Sequence, residues 1–431
     1  MYAVRRFMNA AVIRAVWLTP GRARAYSEIF GLFGWVLFLL MLLQPYWNTR
    51  QASGPPFGDF ISFWAASKQV LTGHLADVYN ASKHHLVELA EFPELSFGDV
   101  AFFYPPTFLL TCIPLALLPV RLSASVWLAG AGIAFVCAIR RILPQSWALL
   151  PIVAFPGAVV DVTNGQNGLL TGALLGWGAV LLPRRPFMAG LCLGCLVIKP
   201  QMLVAAPVVL LCARQWRAVA GGMVSGAGLI GASWLAFGSG AWAGFFRMSH
   251  SARETFERGY VSFWKMQSVF TSVRLLHGGV VVAYIVQITA TVLVLAMVGW
   301  ACFRVTQRKA SLRFQGECAP EIILMITALP FCTPFLLDYD LACLAFPVAW
   351  LLVQARGSDW LPGEKFILFL AYIYLFGARL MGLMTHICPT PVIASALLLL
   401  VMRRVLPDEF AKAGARLAAV FRRGDSLAGL K

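Results

Sequence analysis

The sequence predicts an all-α polytopic membrane protein of the kind that crosses a bilayer about 11 to 13 times, and three observations carry that expectation. Of its 431 residues, 59% are hydrophobic and only 13% are charged, whereas a soluble domain carries about 25% charged residues. Mean hydropathy is +0.75. The apolar residues also fall into successive runs approaching the roughly 20 residues that a helix needs to span the hydrocarbon core. The formal charge of +16 would suggest nucleic acid in a soluble protein. Here the bases sit mostly beside apolar runs, where Lys and Arg anchor helices and set orientation. No nucleic-acid partner is therefore expected, and membrane lipids are.

In chain order, residues 1–28 form a basic segment with Arg5, Arg6, Arg14, Arg22 and Arg24 and no acid before Glu28, which places the N-terminus in the cytoplasm. The apolar run at 29–46 is too long for the core of a signal peptide, so no cleavable signal is expected. Residues 48–103 are the longest polar stretch and hold Asp59, Asp77, Glu88, Glu91, Glu94 and Asp99. Within them Phe60, Phe63, Trp64, Ser67, Val70 and Leu71 recur at helical spacing, as in a helix lying in the membrane interface. Apolar segments follow at 105–118, 122–139, 147–162, 169–182, 187–213 (broken by Pro200) and 218–237. A second amphipathic outer stretch, 239–277, sets Trp242, Phe245, Phe246, Phe256, Phe263 and Trp264 among Arg247, Arg253, Arg258 and Lys265. The last segments are 280–303, 322–337, 341–352, 366–384 and 391–405, and the tail 406–431 is basic. Residues 29–405 thus read as one membrane domain with both termini cytoplasmic. Between 104 and 186 the charge rule balances only if one segment is re-entrant.

Ten cysteines fit this class. Cys192 and Cys195 form a CxxC within GLCLGCLVI, with no second pair or histidine at zinc spacing, so no metal is expected there. Charges at the edge of the hydrocarbon are expensive and point to function. Asp59, in GDF, is either a helix cap or a reactive carboxylate. Tyr104 opens YPPT, whose paired prolines force a non-helical start to the next segment. The turn DVTNGQNG contains Asp161, Asn164 and Gln166, residue types suited to recognising hydroxyls. Lys199-Pro200-Gln201 interrupts a 27-residue apolar run, so its ammonium must snorkel or meet an anion. Asp338 and Asp340 flank Tyr339, and two acids are too few to claim a divalent cation. No cofactor is expected. His74 and His250 are the least informative.

The ordered motifs GDF, AA at 65–66, TG at 72–73, VY at 78–79, FFYPP, GQNGLLTGALLGWG, GLCLG, IKPQ, QSVF and LLDYDL resemble those of glycosyltransferase family 87, polytopic enzymes of the C-type glycosyltransferase superfamily. The resemblance covers about Asp59 to Leu341, two thirds of the chain. It implies inverting transfer of a hexose, mannose favoured, from a polyprenyl-phosphate sugar donor to a lipid or glycan acceptor. The transfer takes place on the outer face of a bacterial inner membrane. It also implies that the acid of the first outer loop, here Asp59, is the general base. Some members carry His in a Pro-His element before DY, where this chain has Pro334-Phe335.

A lipid phosphate leaving group needs fixed cations. The candidates are Lys199, Arg247, His250, Arg253, Arg258 and Lys265. Tyr104, Asp161, Asn164, Gln166, Gln201, Gln267, Asp338 and Asp340 are the candidates for sugar and acceptor. The competing class is a secondary transporter or lipid flippase that couples ions through Lys199 and Asp161. The long aromatic stretch 48–103 and the lack of an internal repeat weigh against it. A polymerase or ligase acting on lipid-linked glycans keeps the carrier chemistry with another donor.

Overall fold

The computed structural model describes residues 9–47, 57–93, 100–308 and 318–413. Arg5, Arg6, Glu94 and Asp99, counted above, and residues 414–431 of the basic tail lie outside them. Of the described residues 80% are helical. Among the described residues no strand forms, and one isolated antiparallel bridge joins Met266 to Leu337.

Seventeen α-helices are described. The first, α1 (Pro20–Trp47), carries the first apolar run. Helices α2 (Phe60–Leu71) and α3 (Ala81–Glu91) form the 48–103 region. They are followed by α4 (Pro106–Cys112), α5 (Val120–Ile142), α6 (Leu149–Val153), α7 (Pro156–Asn164), α8 (Gly168–Leu181), α9 (Pro186–Gly194), α10 (Ala206–Cys212) and α11 (Trp216–Glu257). The series closes with α12 (Val269–Leu275), α13 (Val280–Arg308), α14 (Pro320–Cys332), α15 (Ala345–Gly357), α16 (Glu364–Thr385) and α17 (Thr390–Val405). Pro106, Pro156, Pro186 and Pro320 open their helices, where the missing N–H removes nothing from the ladder.

Five stretches are long and apolar enough to cross a membrane by themselves: α5, α11, α13, Asp338–Gly357 and α16. Two bent pairs raise the number to seven, and five shorter apolar helices of 10–17 residues accompany them. The chain is a multi-pass membrane protein. Full-length spans are fewer than its apolar segments because proline and glycine divide several of them. Residues 147–162 split into helices bent by 48°, within the region where the charge count asked for a re-entrant segment. The run 187–213 breaks at Lys199-Pro200 into short 3-10 turns, Cys195–Ile198 and Pro200–Leu203. Helix α11 breaks at Gly238 (φ 69°), so the apolar segment 218–237 continues directly into the first part of 239–277. Irregular backbone at membrane depth persists only where protein or a water-filled cavity covers it, and the break at Lys199 sets that residue against Asn167 and Asp340.

Small residues bring the helices close. A Cβ on Gly190 would lie 2.0 Å from the Ala218 carbonyl, and one on Gly194 2.2 Å from that of Gly222, so α9 and α11 pack backbone to backbone. The larger core gathers α5, α7, α8, α9, α13, α14, α15, α16 and α17. A second, aromatic core surrounds α2: Phe63 packs on Phe108 at 4.9 Å and on Tyr104 at 5.3 Å between centroids. Residues 60–67 of α2 are all buried. Where the spacing suggested a helix resting in the interface, protein covers residues 60–67 on every side, because α3, α4 and α5 pack around them, and only the end at Leu71 is exposed.

Candidate active site

The site forms where four irregular segments meet: the turn 57–59 before α2, the turn 164–167 between α7 and α8, the break at Lys199, and the 3-10 segment Asp338–Leu344. Helix α7 ends at Gly165 in the left-handed region (φ 64°), as helices commonly end. A Cβ there would stand 2.0 Å from the Phe57 carbonyl. The Asp59 amide donates to the Asn164 carbonyl at 2.9 Å. The two turns are therefore clamped together, and glycine is required at 165 on both counts.

Asp59 precedes α2 yet caps nothing with its side chain. Its Oδ2 instead accepts from Nε2 of Gln166 at 2.7 Å, and Gln166 Oε1 accepts from the Tyr104 hydroxyl at 2.8 Å. Trp127 Nε1 donates to the Gln166 carbonyl at 3.1 Å. Asp59 is partly exposed. Burial pushes its carboxyl above the ordinary carboxylate range; the Gln166 hydrogen bond and the charges of Lys265 and Arg379 pull it back, while Asp338 adds to the rise. A poised carboxylate between cations is suited to accepting a proton.

The other acids have fixed partners. Asp161 is fully buried and accepts from the Gly168 amide at 2.6 Å and the Leu169 amide at 3.1 Å. It thus caps α8 from the preceding helix, where the free N–H groups and helix dipole favour an anion. Lys199, 3% exposed, donates to Asp340 and, at 2.7 Å, to Asn167 Oδ1, and its ammonium lies 5.0 Å from the Tyr339 ring centroid. The intramembrane lysine therefore meets an anion, and that anion belongs to the protein. Asp338 is held by Nε and Nη2 of Arg379, and Nη2 also reaches Asn164 Oδ1 at 3.3 Å. Lys199–Asp340 and Arg379–Asp338 are ion pairs, whereas Asp59 has no cation within ion-pair distance among the described residues and feels Lys265 and Arg379 only through space. No carboxylate among the described residues lies within 4 Å of Lys265, which is exposed.

The remaining candidates fall outside this cluster or play another part. Gln267 accepts from Thr390 Oγ1 at 2.6 Å and donates to the Trp264 carbonyl at 3.2 Å, tying residues 263–267 to the start of α17. Gln201 is partly exposed within Pro200–Leu203. Arg247 and His250 are exposed on α11, and no hydrogen bond or ion pair joins either to the cluster. Arg253 pairs with Glu257 at 2.6 Å and lies over the Tyr284 ring. Phe335 stacks on Phe256 at 5.1 Å, so an aromatic pair occupies that place. The residue that sequence reading missed is Arg379. Its signal was available: like Lys199, it is a cation in the middle of an apolar run. Among the described residues no three His, Cys, Asp or Glu side chains converge as a metal site. The ten cysteines, Cys192 and Cys195 included, are free thiols.

No curated protein and no solved structure matches the chain significantly. The family model of glycosyltransferase family 87 matches residues 102–330, more than half of the 431 residues and the part that supplies Tyr104, Gln166 and Lys199. The chain, a multi-pass membrane protein with an acid clamped against a GQ turn, belongs to glycosyltransferase family 87.

Proposed function

We propose that the protein is an inverting glycosyltransferase that moves a hexose, with mannose the first choice, from a polyprenyl-phosphate donor to a hydroxyl of a lipid-linked or glycan acceptor. The acceptor oxygen attacks the anomeric carbon, whose bond to the phosphate oxygen breaks. The acceptor proton passes to Asp59, and the polyprenyl phosphate leaves with the bonding electrons. Lys265 and the partly exposed Arg379 meet the charge that develops on it. Lys199 and Asp161 stabilise the scaffold instead, each held by partners within the protein. The basic segment before the first apolar run and the basic C-terminal tail support cytoplasmic termini and a site on the outer face of a bacterial inner membrane.

The observation that carries this reading is Asp59: an accessible carboxylate without a capping role, raised by burial and flanked by two cations, in a family of glycosyltransferases. The test uses membranes holding the wild type or Asp59→Asn, incubated with a panel of labelled polyprenyl-phosphate sugars, with products identified by mass spectrometry. Label should enter a product with the wild type alone, while the variant remains folded. Full transfer by Asp59→Asn would remove Asp59 from the mechanism, and transfer from none of the donors would remove the donor class.

A further inference from the structure

Gln166 and Tyr104 read naturally from sequence as ligands of sugar hydroxyls. Their bonding argues for a different task, one that rests on Asp59 being the base. Gln166 is 4% exposed, and both ends of its amide are engaged: Oε1 with the Tyr104 hydroxyl and Nε2 with Asp59 Oδ2. Its main chain is held by Trp127 and by the Gly165 turn. A carboxylate only accepts, while an amide has one accepting and one donating end. Reversing the Gln166 amide would set its oxygen against an ionised Asp59. The hydroxyl of Tyr104, by donating to Oε1, selects the orientation that presents N–H to the acid. Asp59 Oδ1 has no partner among the described residues.

We propose that Gln166 and Tyr104 are positioning residues: the chain Tyr104 Oη–H to Gln166 Oε1, Gln166 Nε2–H to Asp59 Oδ2, holds the base ionised through one oxygen and leaves Oδ1 to take the acceptor proton. The chain joins the non-helical start of α4, the GQ turn and the turn before α2, so its three members come from separate parts of the sequence. The other groups facing Asp59 are Lys265 from Phe263–Lys265, Arg379 from α16, Asp338 from Asp338–Leu344, and the Tyr339 hydroxyl. None of them donates a hydrogen bond to Asp59. Among the described residues the neutral amide is thus the one side chain that hydrogen-bonds to the carboxylate.

Two variants test this, Gln166→Leu and Tyr104→Phe, the second removing a single oxygen and so leaving packing intact. Protonation of Asp59 is read on purified full-length protein by infrared titration, taking the difference from the same protein with Asp59→Asn; no substrate is needed. Transfer from labelled polyprenyl-phosphate mannose is measured over the same pH range. In both variants the carboxyl should hold its proton to higher pH than in the wild type. Turnover in Gln166→Leu should fall about tenfold more at the acid end of the range than at the alkaline end, the size expected for losing a hydrogen bond to a charged group. Tyr104→Phe should show the same trend more weakly.

Unchanged infrared titration in both variants overturns the proposal, and so does a rise in KM that is equal at every pH, which is the mark of a lost sugar contact. Should Asp59→Asn keep full transfer while the titrations shift as expected, the assignment of the base fails and the coupling between Gln166 and Asp59 stands. The two failures are therefore distinguishable.

Discussion

Replacing Lys199 by Met removes a cation from a place where Asp340 is only 1% exposed. The acid would retain one long backbone contact, the Leu337 amide at 3.4 Å. Removing one partner of a buried ion pair costs about 3–5 kcal/mol, because the other charge is left uncompensated. Asp340→Asn should cost about the same for the converse reason, since Lys199 would face Asn167 and two tyrosine rings without a counter-ion. The double variant Lys199→Met/Asp340→Leu removes both charges. Its remaining losses are the hydrogen bond to Asn167, worth about 1–3 kcal/mol if that oxygen is left unsatisfied, and the long contact from the Leu337 amide. The coupling between the two positions should therefore be about 3 kcal/mol or more, well above the roughly 0.5 kcal/mol scatter of independent sites.

The measurement is a double-mutant cycle on purified protein in mixed micelles, unfolding the four proteins by denaturing detergent, followed by transfer assays on those that remain folded. The double variant should be folded and should retain transfer. Additive single effects would refute the pairing. A stable Lys199→Met that has lost only donor affinity would return this lysine to the phosphate.

Three further outcomes are expected. Because burial raises Asp59, transfer should climb with pH through a midpoint above the ordinary carboxylate value of about 3.9. For stability the sign is opposite: a folded-state pKa above the unfolded one makes the folded protein bind more protons in the window between them, so stability falls as pH rises through it. Asp59→Asn should then be at least as stable as the wild type at neutral pH by thermal melting, and a clear loss would contradict the burial argument. Gly165→Ala should yield little folded protein in a detergent-solubility screen, since the new methyl would meet the Phe57 carbonyl at a left-handed φ; a normal melting temperature would refute the clamp. Asp161→Ala should destabilise by about 1–3 kcal/mol through two unsatisfied amides of α8, with transfer per folded molecule nearly unchanged. Loss of transfer at full stability would mark Asp161 as a substrate ligand.

Much of the site was legible as a set of costs. Asp59, Asp161, Lys199, Asp338 and Asp340 stood out because charges near hydrocarbon demand a reason, and all five lie in one cluster. Their partners were not legible. Lys199 meets Asp340 across 141 positions and Asp59 meets Gln166 across 107, and no local periodicity encodes such pairings. Arg379 shared the signal of Lys199 yet was passed over, since it lies beyond the motifs that carry the family resemblance. The same limit applied to α2: its helical spacing was correct, but amphipathic spacing alone does not distinguish lipid from a neighbouring helix, and here α3, α4 and α5 cover it.

By itself the sequence determined the class and the break at Lys199-Pro200, because hydropathy and proline act locally, whereas the bend within 147–162 and the helix that continues through Gly238 came only with the structure. It also determined which polar residues needed an explanation. Only the tertiary structure decided which explanation each received: α8 for Asp161, Asp340 for Lys199, and for Asp59 an amide with one oxygen left over. Those choices depend on which turns the packed helices bring together, and a backbone approach as close as that of Gly165 to Phe57 exists only once the helices have packed.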